Sequence, residues 1–182
     1  MEFPEGHQVF SFDDVSWIVL KYDDAKGGYY KDRIKKLDGT KAVDYIGTHK
    51  GNLYLIEVKD FREHRIENQK RLTGDGLAIE SGQKVRDTVA GIIGAYRTSD
   101  PQKWDVFANV LHDKIAVIRV VVWLEYDLPT HDKQREKVRT GIATNVYKAK
   151  LSWLTSRVLV SNQIHNVVPD LKVSNLARPQ GS

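Results

Sequence analysis

The sequence predicts a mixed α/β fold, in which helices flank a central mixed β-sheet. Three strand-like runs separated by short polar turns lie within residues 33–61, and an almost unbroken Val/Ile run spans 115–124. Apolar residues at helical spacing precede and follow that run. Strands joined by tight turns pair antiparallel, whereas a helical crossover brings the next strand in parallel, so one sheet should contain both kinds of pairing.

The composition is that of one globular domain. The 182 residues are 41% hydrophobic and 29% charged, and they include no cysteine, which excludes disulfides, thiolate zinc sites and a cysteine nucleophile. We expect a single domain over 1–182, with a core at about 11–125, a helix–strand extension at about 131–176 and a loose tail at 177–182. No apolar run reaches membrane-spanning length and the start lacks a secretory signal, so we expect a cytoplasmic protein of prokaryotic or viral origin.

The first predicted element is a helix over about 12–25. Residues 11–14 resemble a helix N-cap, and the apolar residues from 15 to 22 recur at helical spacing, although 17–20 would also suit a buried strand. A three-stranded meander over about 32–61 follows. Asp38-Gly39 is a typical hairpin turn between strands at 33–37 and 40–47, and a second turn at 49–52 leads into a strand at 53–61.

The second half of the chain predicts three helices and two strands. Apolar residues between 85 and 96 mark one helix, and Asp100-Pro101 opens the next, because proline suits the first helical position. The run 115–124 is typical of a central strand covered on both faces. A helix near 131–150 and a strand at 157–160 complete the series. The predicted buried side of that helix comprises Val138, Ile142, Val146 and Ala149.

Charged residues interrupt two of the apolar strands. Asp44 lies in the second strand of the meander, and Glu57 and Lys59 lie in the third. Residues two apart on a strand face the same way, and the short turn brings Asp44 across from Glu57. Two carboxylates with the Val58 carbonyl supply the oxygen ligands that Mg²⁺ or Mn²⁺ prefers. A lysine beside such an ion can activate water or stabilise phosphate charge. The alternative is a set of surface ion pairs on a one-sided sheet.

This pattern resembles the PD-(D/E)XK nuclease superfamily, which has a restriction-endonuclease-like fold with an αβββαβ core. Asp44, followed after twelve residues by Glu57-Val58-Lys59, carries the resemblance, and Val43 replaces the proline of the family name. The resemblance implies a magnesium-dependent endonuclease that hydrolyses phosphodiester bonds in DNA. It assigns Asp44 and Glu57 as metal ligands and Lys59 as the water-activating or charge-stabilising residue. The alternative is a non-catalytic nucleic-acid-binding or assembly module that retains the fold.

Further residues are assigned around this motif. Many members of the superfamily add an acid from the first helix and a glutamine from the helix after the third strand, so Asp14 and Gln83 are accessory candidates; Asp13, Asp23 and Asp24 are equally available. Basic residues after the motif and in the 131–150 helix are predicted phosphate contacts, unless they form a solvated helix face. They are Arg62, Arg65, Lys133, Arg135, Lys137 and Arg139. Cleaving two strands takes two sites, which favours a homodimer, and no membrane partner is expected.

Overall fold

The computed structural model describes residues 1–23, 28–62, 75–126 and 133–176. The strands are β1 (Glu2–Glu5), β2 (Gln8–Phe12), β3 (Trp17–Lys21), β4 (Tyr45–His49), β5 (Asn52–Asp60), β6 (Ile118–Glu125), β7 (Val158–Ser161) and β8 (Leu171–Asn175). The helices are α1 (Tyr29–Asp32), α2 (Gly76–Thr98), α3 (Pro101–His112) and α4 (Lys133–Leu151), with a 3-10 turn at Ile34–Lys36. The predicted mixed α/β class is confirmed.

The larger sheet has five strands in the order β3-β4-β5-β6-β7. β3, β4 and β5 are antiparallel neighbours, whereas β6 runs parallel to both β5 and β7. β4 and β5 are joined by the predicted turn, in which Lys50 and Gly51 have φ of 49° and 74°. Positive φ at both central residues is what a tight two-residue hairpin turn requires. The sheet is therefore mixed, as the sequence predicts.

A smaller sheet covers one face of the larger one. It has three antiparallel strands in the order β1-β2-β8, which bring together the two ends of the described chain. Phe10 of this sheet packs against Tyr45 and Trp123 of the larger sheet, with ring centroids 5.5 and 5.4 Å apart. Within this sheet β1 and β2 form a local hairpin, whereas β2 and β8 pair residues more than 150 positions apart, which no local sequence pattern predicts.

The helices α2, α3 and α4 cover the other face. Ile46, Leu55 and Val122 from the sheet join Ile92 of α2 and Phe107 of α3 in one buried cluster. The side chain of Asp100 caps α3 by accepting a hydrogen bond from the N–H of Gln102 at 3.0 Å, with proline next, as predicted. The predicted strand at 157–160 and the helix around 85–96 are likewise confirmed as β7 and α2. β6 is covered on both faces, also as predicted.

The predicted helix over 12–25 is wrong. This stretch contains the end of β2 and all of β3, and the alternative reading of 17–20 as a buried strand is the one that holds. Trp17 and Val19 are buried against the small sheet while Ile18 is exposed, so burial follows the two-residue period of a strand. Within the segment 11–14 that was expected to cap this helix, Asp13 instead accepts hydrogen bonds from Ser16 in a turn.

The predicted hairpin at Asp38-Gly39 is also wrong. A turn does form there, with Gly39 at φ 75°, but α1 and the 3-10 turn precede it where a strand was expected. The following strand begins only at Tyr45. The first strand of the meander is thus β3. It pairs with β4 at the edge where the predicted strand at 33–37 would have paired.

The predicted buried face of the last long helix is wrong as well. Val138 and Ile142 of α4 are exposed, at 56% and 65% of their surface, whereas Glu136, Thr140 and Tyr147 are buried. Glu136 accepts hydrogen bonds from the Tyr126 hydroxyl and from Nδ2 of Asn162, the latter at 2.5 Å. A buried polar network therefore sets the rotation of α4, and an apolar pattern cannot reveal it. Among the described residues, no helix combines the length and apolar character that crossing a membrane would require.

Candidate functional site

Asp44 and Glu57 lie directly opposite each other in the larger sheet. Tyr45 is paired with Ile56, so the antiparallel register places Asp44, one residue before β4, across from Glu57. Directly opposed residues of such a pair have Cβ atoms about 4.5–5.5 Å apart and point to the same face. Asp44 is 5% exposed and Glu57 is fully buried. Two carboxylates therefore share one buried region beneath α2, near the carboxyl ends of the parallel strands.

Asp44 is held by the backbone of the neighbouring strand. Its Oδ2 accepts a hydrogen bond from the N–H of Val58 at 2.5 Å. Burial, together with the nearby charge of Glu57, raises the pKa of Asp44 from 3.8 to about 7, although Lys84 and the Val58 N–H oppose the rise. The Asp44 carboxyl therefore changes its protonation state near neutral pH.

Two lysines neutralise Glu57. The Nζ atoms of Lys59 and Lys84 lie 2.9 and 2.7 Å from the same oxygen, Oε1. The other oxygen, Oε2, is buried and has no hydrogen-bond partner among the described residues. A buried carboxylate oxygen without a partner is costly unless another group fills that role, so Oε2 could accept a ligand.

Lys59 bridges two glutamates. Its Nζ also lies 2.9 Å from Oε1 of Glu80 on α2. Burial acts to lower the pKa of Lys59, but the charge of Glu57 and the hydrogen bonds to Glu80 and Glu57 outweigh it, so the pKa is raised overall. The ammonium group is therefore charged and positioned in this state, and the cluster alternates two carboxylates with two ammonium groups.

A third acid, Asp23, lies beside this cluster. The N–H of Tyr22 donates to the carbonyl of Asp44 at 2.8 Å, which places Asp23 at the end of β3 next to Asp44. Burial and the charge of Asp44 raise the pKa of Asp23 to about 6, and its Oδ1 is buried without a hydrogen-bond partner among the described residues. Of the three described acids among these four candidates, Asp23 is the one brought near Asp44. Asp24 lies outside the described residues.

The two accessory candidates are not brought to the cluster. Asp14 is exposed and borders a surface hollow with Thr48 and Lys50, at the opposite end of β4 from Asp44. Gln83 is exposed on α2, whereas the next residue, Lys84, points to Glu57. The spacing of Glu80 and Lys84, four residues apart on a helix, was the available sequence signal for both.

The predicted nucleic-acid contacts are dispersed. Arg62 forms hydrogen bonds with Asp60, at 2.6 to 2.8 Å, and with Asn175 at 2.6 Å. Arg135, Lys137 and Arg139 are exposed on α4, and the Arg139 guanidinium stacks over the Tyr126 ring at 3.9 Å. Lys133 begins α4 without a described side chain, and Arg65 lies outside the described residues, as does the predicted tail at 177–182.

The carboxylate pair fits a hard divalent cation. The described part of the chain contains no group of three or more His, Asp or Glu side chains arranged as a ready metal cluster. Mg²⁺ commonly takes one or two protein carboxylates and keeps its waters, so Asp44 and Oε2 of Glu57 could serve as its protein donors. Val58 adds a third. The N–H and C=O of one strand residue point to the same neighbour, so the Val58 carbonyl faces the Asp44 side together with its N–H.

These features define a mixed α/β protein with a buried acid–lysine cluster at one end of its central sheet. No protein-family model, no curated protein and no solved structure matches this chain. The functional proposal consequently depends on the side chains themselves.

Proposed function

We propose that this protein is a metal-dependent endonuclease that hydrolyses phosphodiester bonds in DNA, built on the restriction-endonuclease-like core of the PD-(D/E)XK superfamily. The observation that carries the proposal is the pairing of Asp44 with Glu57 in one buried region, with Lys59 on the same face. Three ionisable groups in a protein interior are costly unless they serve each other or a ligand.

In this proposal, Asp44, Glu57 and the Val58 carbonyl hold Mg²⁺ or Mn²⁺. The bound ion would lower the pKa of an attacking water and offset charge on the phosphate. The ionised form of Asp44 is needed, because a carboxylate must lose its proton to bind a metal. The raised pKa of Asp44 thus makes the empty site less unstable, since the carboxyl can remain partly protonated until the cation arrives.

Lys59 then has the role of orienting water or contacting the phosphate. Its ammonium group is already placed on the metal-binding face by Glu57 and Glu80. Lys84 offers a second cation from α2, aimed at the same carboxylate. A cation held by the carboxylates would weaken the attraction of both lysines to Glu57, so Lys59 and Lys84 could then contact the negative phosphate.

Exposed basic side chains on α4 are proposed to contact the DNA backbone. Lys137 and Lys148 are exposed on this helix, and the chain as a whole carries a net charge of +4. Neutralising phosphates releases counterions, so binding should weaken steeply with salt. A homodimer would provide the second active site that cleavage of both strands needs.

The test is cleavage of plasmid and single-stranded circular DNA with Mg²⁺ or Mn²⁺. Asp44→Ala, Glu57→Ala and Lys59→Ala should each lower the rate at least about a hundredfold, as removal of a principal charge-stabilising group does. Asp38→Ala and Lys114→Ala are matched controls, because both residues are exposed and neither belongs to the cluster. Unchanged cleavage by the three site variants, or no cleavage with either metal, would overturn the proposal.

One observation favours a second candidate, a non-catalytic nucleic-acid-binding or assembly module. Both lysines already neutralise Glu57, so the cluster is balanced without a cation. This candidate predicts DNA binding with a steep salt dependence, no turnover, and no rise in Tm with divalent metal. Measuring Tm with and without Mn²⁺ separates the two functions.

A further inference from the structure

Asp44 lies at the end of an irregular segment, one residue before β4 begins. Residues 40–44 approach β4 as irregular chain outside the strand, although the Asp44 carbonyl still accepts a hydrogen bond from the Tyr22 N–H at 2.8 Å. Ala42 and Val43 are nevertheless buried. A buried backbone N–H requires a partner, and a side chain must supply it where no strand does.

Two consecutive residues of α2 accept hydrogen bonds from the backbone of Lys41 and Val43 in this stretch. The Oγ1 of Thr88 accepts a hydrogen bond from the N–H of Val43 at 3.1 Å, and the Thr88 residue is fully buried. The Oδ2 of Asp87 accepts from the N–H of Lys41 at 3.0 Å. Arg86 donates to the other oxygen of Asp87 at 2.8 Å, which fixes the orientation of that carboxylate.

The same helix also contacts the second carboxylate of the pair. Lys84 lies one turn before Thr88 on α2 and forms an ion pair with Glu57. α2 therefore touches the Asp44 segment and the Glu57 strand at adjacent turns. A shift of one side chain on this helix would change the separation of the two carboxylates.

We infer that Thr88, assisted by Asp87, is a positioning residue that holds Asp44 in register opposite Glu57. The consequence for metal binding rests on the proposed nuclease function, but the positioning itself does not. Thr88 touches neither the carboxylate pair nor any reacting atom. The hydrogen bond from the Val43 N–H to Thr88 fixes the backbone of the residue just before Asp44, and this is how Thr88 positions Asp44.

Val58 provides a reporter that Thr88 does not contact. The N–H of Val58 donates to Oδ2 of Asp44, which lies one residue before β4 begins. Hydrogen exchange at the Val58 amide in the metal-free protein therefore reports whether Asp44 is in place. Exchange there needs neither a bound ion nor activity.

The experiment compares Thr88→Val, which keeps the shape but removes the acceptor, with Thr88→Ser, which keeps the hydroxyl. Thr140→Val is the matched control, because Thr140 is also a buried helical threonine but donates within its own helix. Thr88→Val should speed Val58 exchange about tenfold, in line with the cost of an unpaired buried N–H. Thr88→Ser and Thr140→Val should leave Val58 exchange within about twofold of the wild type.

Equal Val58 exchange in Thr88→Val and Thr140→Val would overturn the inference. If Thr88→Val fails to fold, Asp87→Ala, which removes the acceptor for the Lys41 N–H, supplies the second variant: faster Val58 exchange supports the inference, and unchanged exchange overturns it. The Mn²⁺ concentration that gives half-saturation, measured from the change in Tm, should also rise about tenfold in Thr88→Val. A wild type that binds no ion would refute the nuclease proposal, while the amide exchange would still decide the positioning role.

Discussion

Lys84 reaches from α2 to the central sheet and places its Nζ 2.7 Å from Oε1 of Glu57, closer than the 2.9 Å of Lys59 on the same strand as Glu57. The two lysines come from different elements and meet at one carboxylate oxygen. This relationship links the helix to the buried acid pair. It also means that a cation approaching Glu57 must compete with two ammonium groups.

Replacement of Lys84 should tighten divalent-metal binding. Lys84→Met keeps most of the side-chain volume but removes a positive charge beside the carboxylates, so half-saturating Mn²⁺ should fall roughly fivefold, by an order-of-magnitude Coulomb estimate for a partly screened site. The free energy of unfolding of the metal-free protein should decrease, because a buried ion pair loses one partner. Isothermal titration with Mn²⁺ measures the first effect and urea unfolding the second.

Gln83→Met is the control for that substitution, since Gln83 is the adjacent exposed residue of α2. It should leave both measurements unchanged. Weaker Mn²⁺ binding by Lys84→Met, relative to this control, would contradict the idea that Lys84 competes with the cation.

Metal binding should weaken as the pH falls below neutrality. Burial and the charge of Glu57 set the pKa of Asp44 at about 7, and a protonated carboxyl must lose its proton before it binds a cation. Half-saturating Mn²⁺ should therefore rise roughly tenfold between pH 8 and pH 6. Asp44→Asn has no ionisable group at this position, so it should bind Mn²⁺ weakly and without this pH dependence. If the Mn²⁺ affinity of the wild type did not change between pH 6 and pH 8, the prediction would be wrong.

Asp44 should make the metal-free protein less stable at alkaline pH. Its folded-state pKa of about 7 lies above the 3.8 of an unperturbed aspartate, so its favourable contribution is complete below about pH 4 and is lost as the pH rises through 7. A rise of this size corresponds to roughly 4 kcal/mol against the ionised form. Asp44→Asn should therefore raise the free energy of unfolding by about 2–4 kcal/mol at pH 8 and by much less at pH 4.

Urea unfolding without metal, at both pH values, measures this difference. Asp38→Asn is the control, because Asp38 is an exposed residue of a surface turn. A stabilisation of equal size at pH 4 and pH 8 would show that ionisation of Asp44 is not its source.

Two glycines in helices should respond in opposite directions to the same substitution. A Cβ on Gly91 of α2 would lie 2.1 Å from the Tyr22 hydroxyl, and the Tyr22 ring is itself buried against Tyr30 and Trp104. Gly91→Ala should lower the free energy of unfolding by about 1–3 kcal/mol through overpacking. Gly141 of α4 has no atom within 4 Å of such a Cβ, so Gly141→Ala should raise it by about 0.5–1 kcal/mol.

Thermal and urea unfolding of the two variants measure these changes. Each variant serves as the control for the other, since both place alanine inside an α-helix. A stabilised Gly91→Ala protein would show that Tyr22 moves freely, which its close packing opposes.

Much of the fold depends on local patterns, and those parts were predictable. The Lys50-Gly51 turn, the capped start of α3 and the Val/Ile run of β6 all follow from conformational or burial preferences of a few adjacent residues. The placement of Glu57 and Lys59 on one strand face also follows from the two-residue period of a strand. Together with the short turn before β5, that period predicted that both side chains lie in one region with Asp44.

The rest required contacts between distant residues. Residues 17–21 carry both a helical and a strand pattern, and only the small sheet, formed by strands from both ends of the chain, buries Trp17 and Val19 together. Asp23, and not Asp14, lies near Asp44 because residues 17–21 form the strand β3 and not the predicted helix. Lys84 and Thr88 reach the acids because α2 packs across the sheet. By itself, the sequence determined the mixed α/β class and the alternation of acid and lysine on one strand, since the residue period of the backbone encodes both. Tertiary packing decided which helix residues contact the acids, because the distances between helix and strand side chains depend on how separate elements pack together.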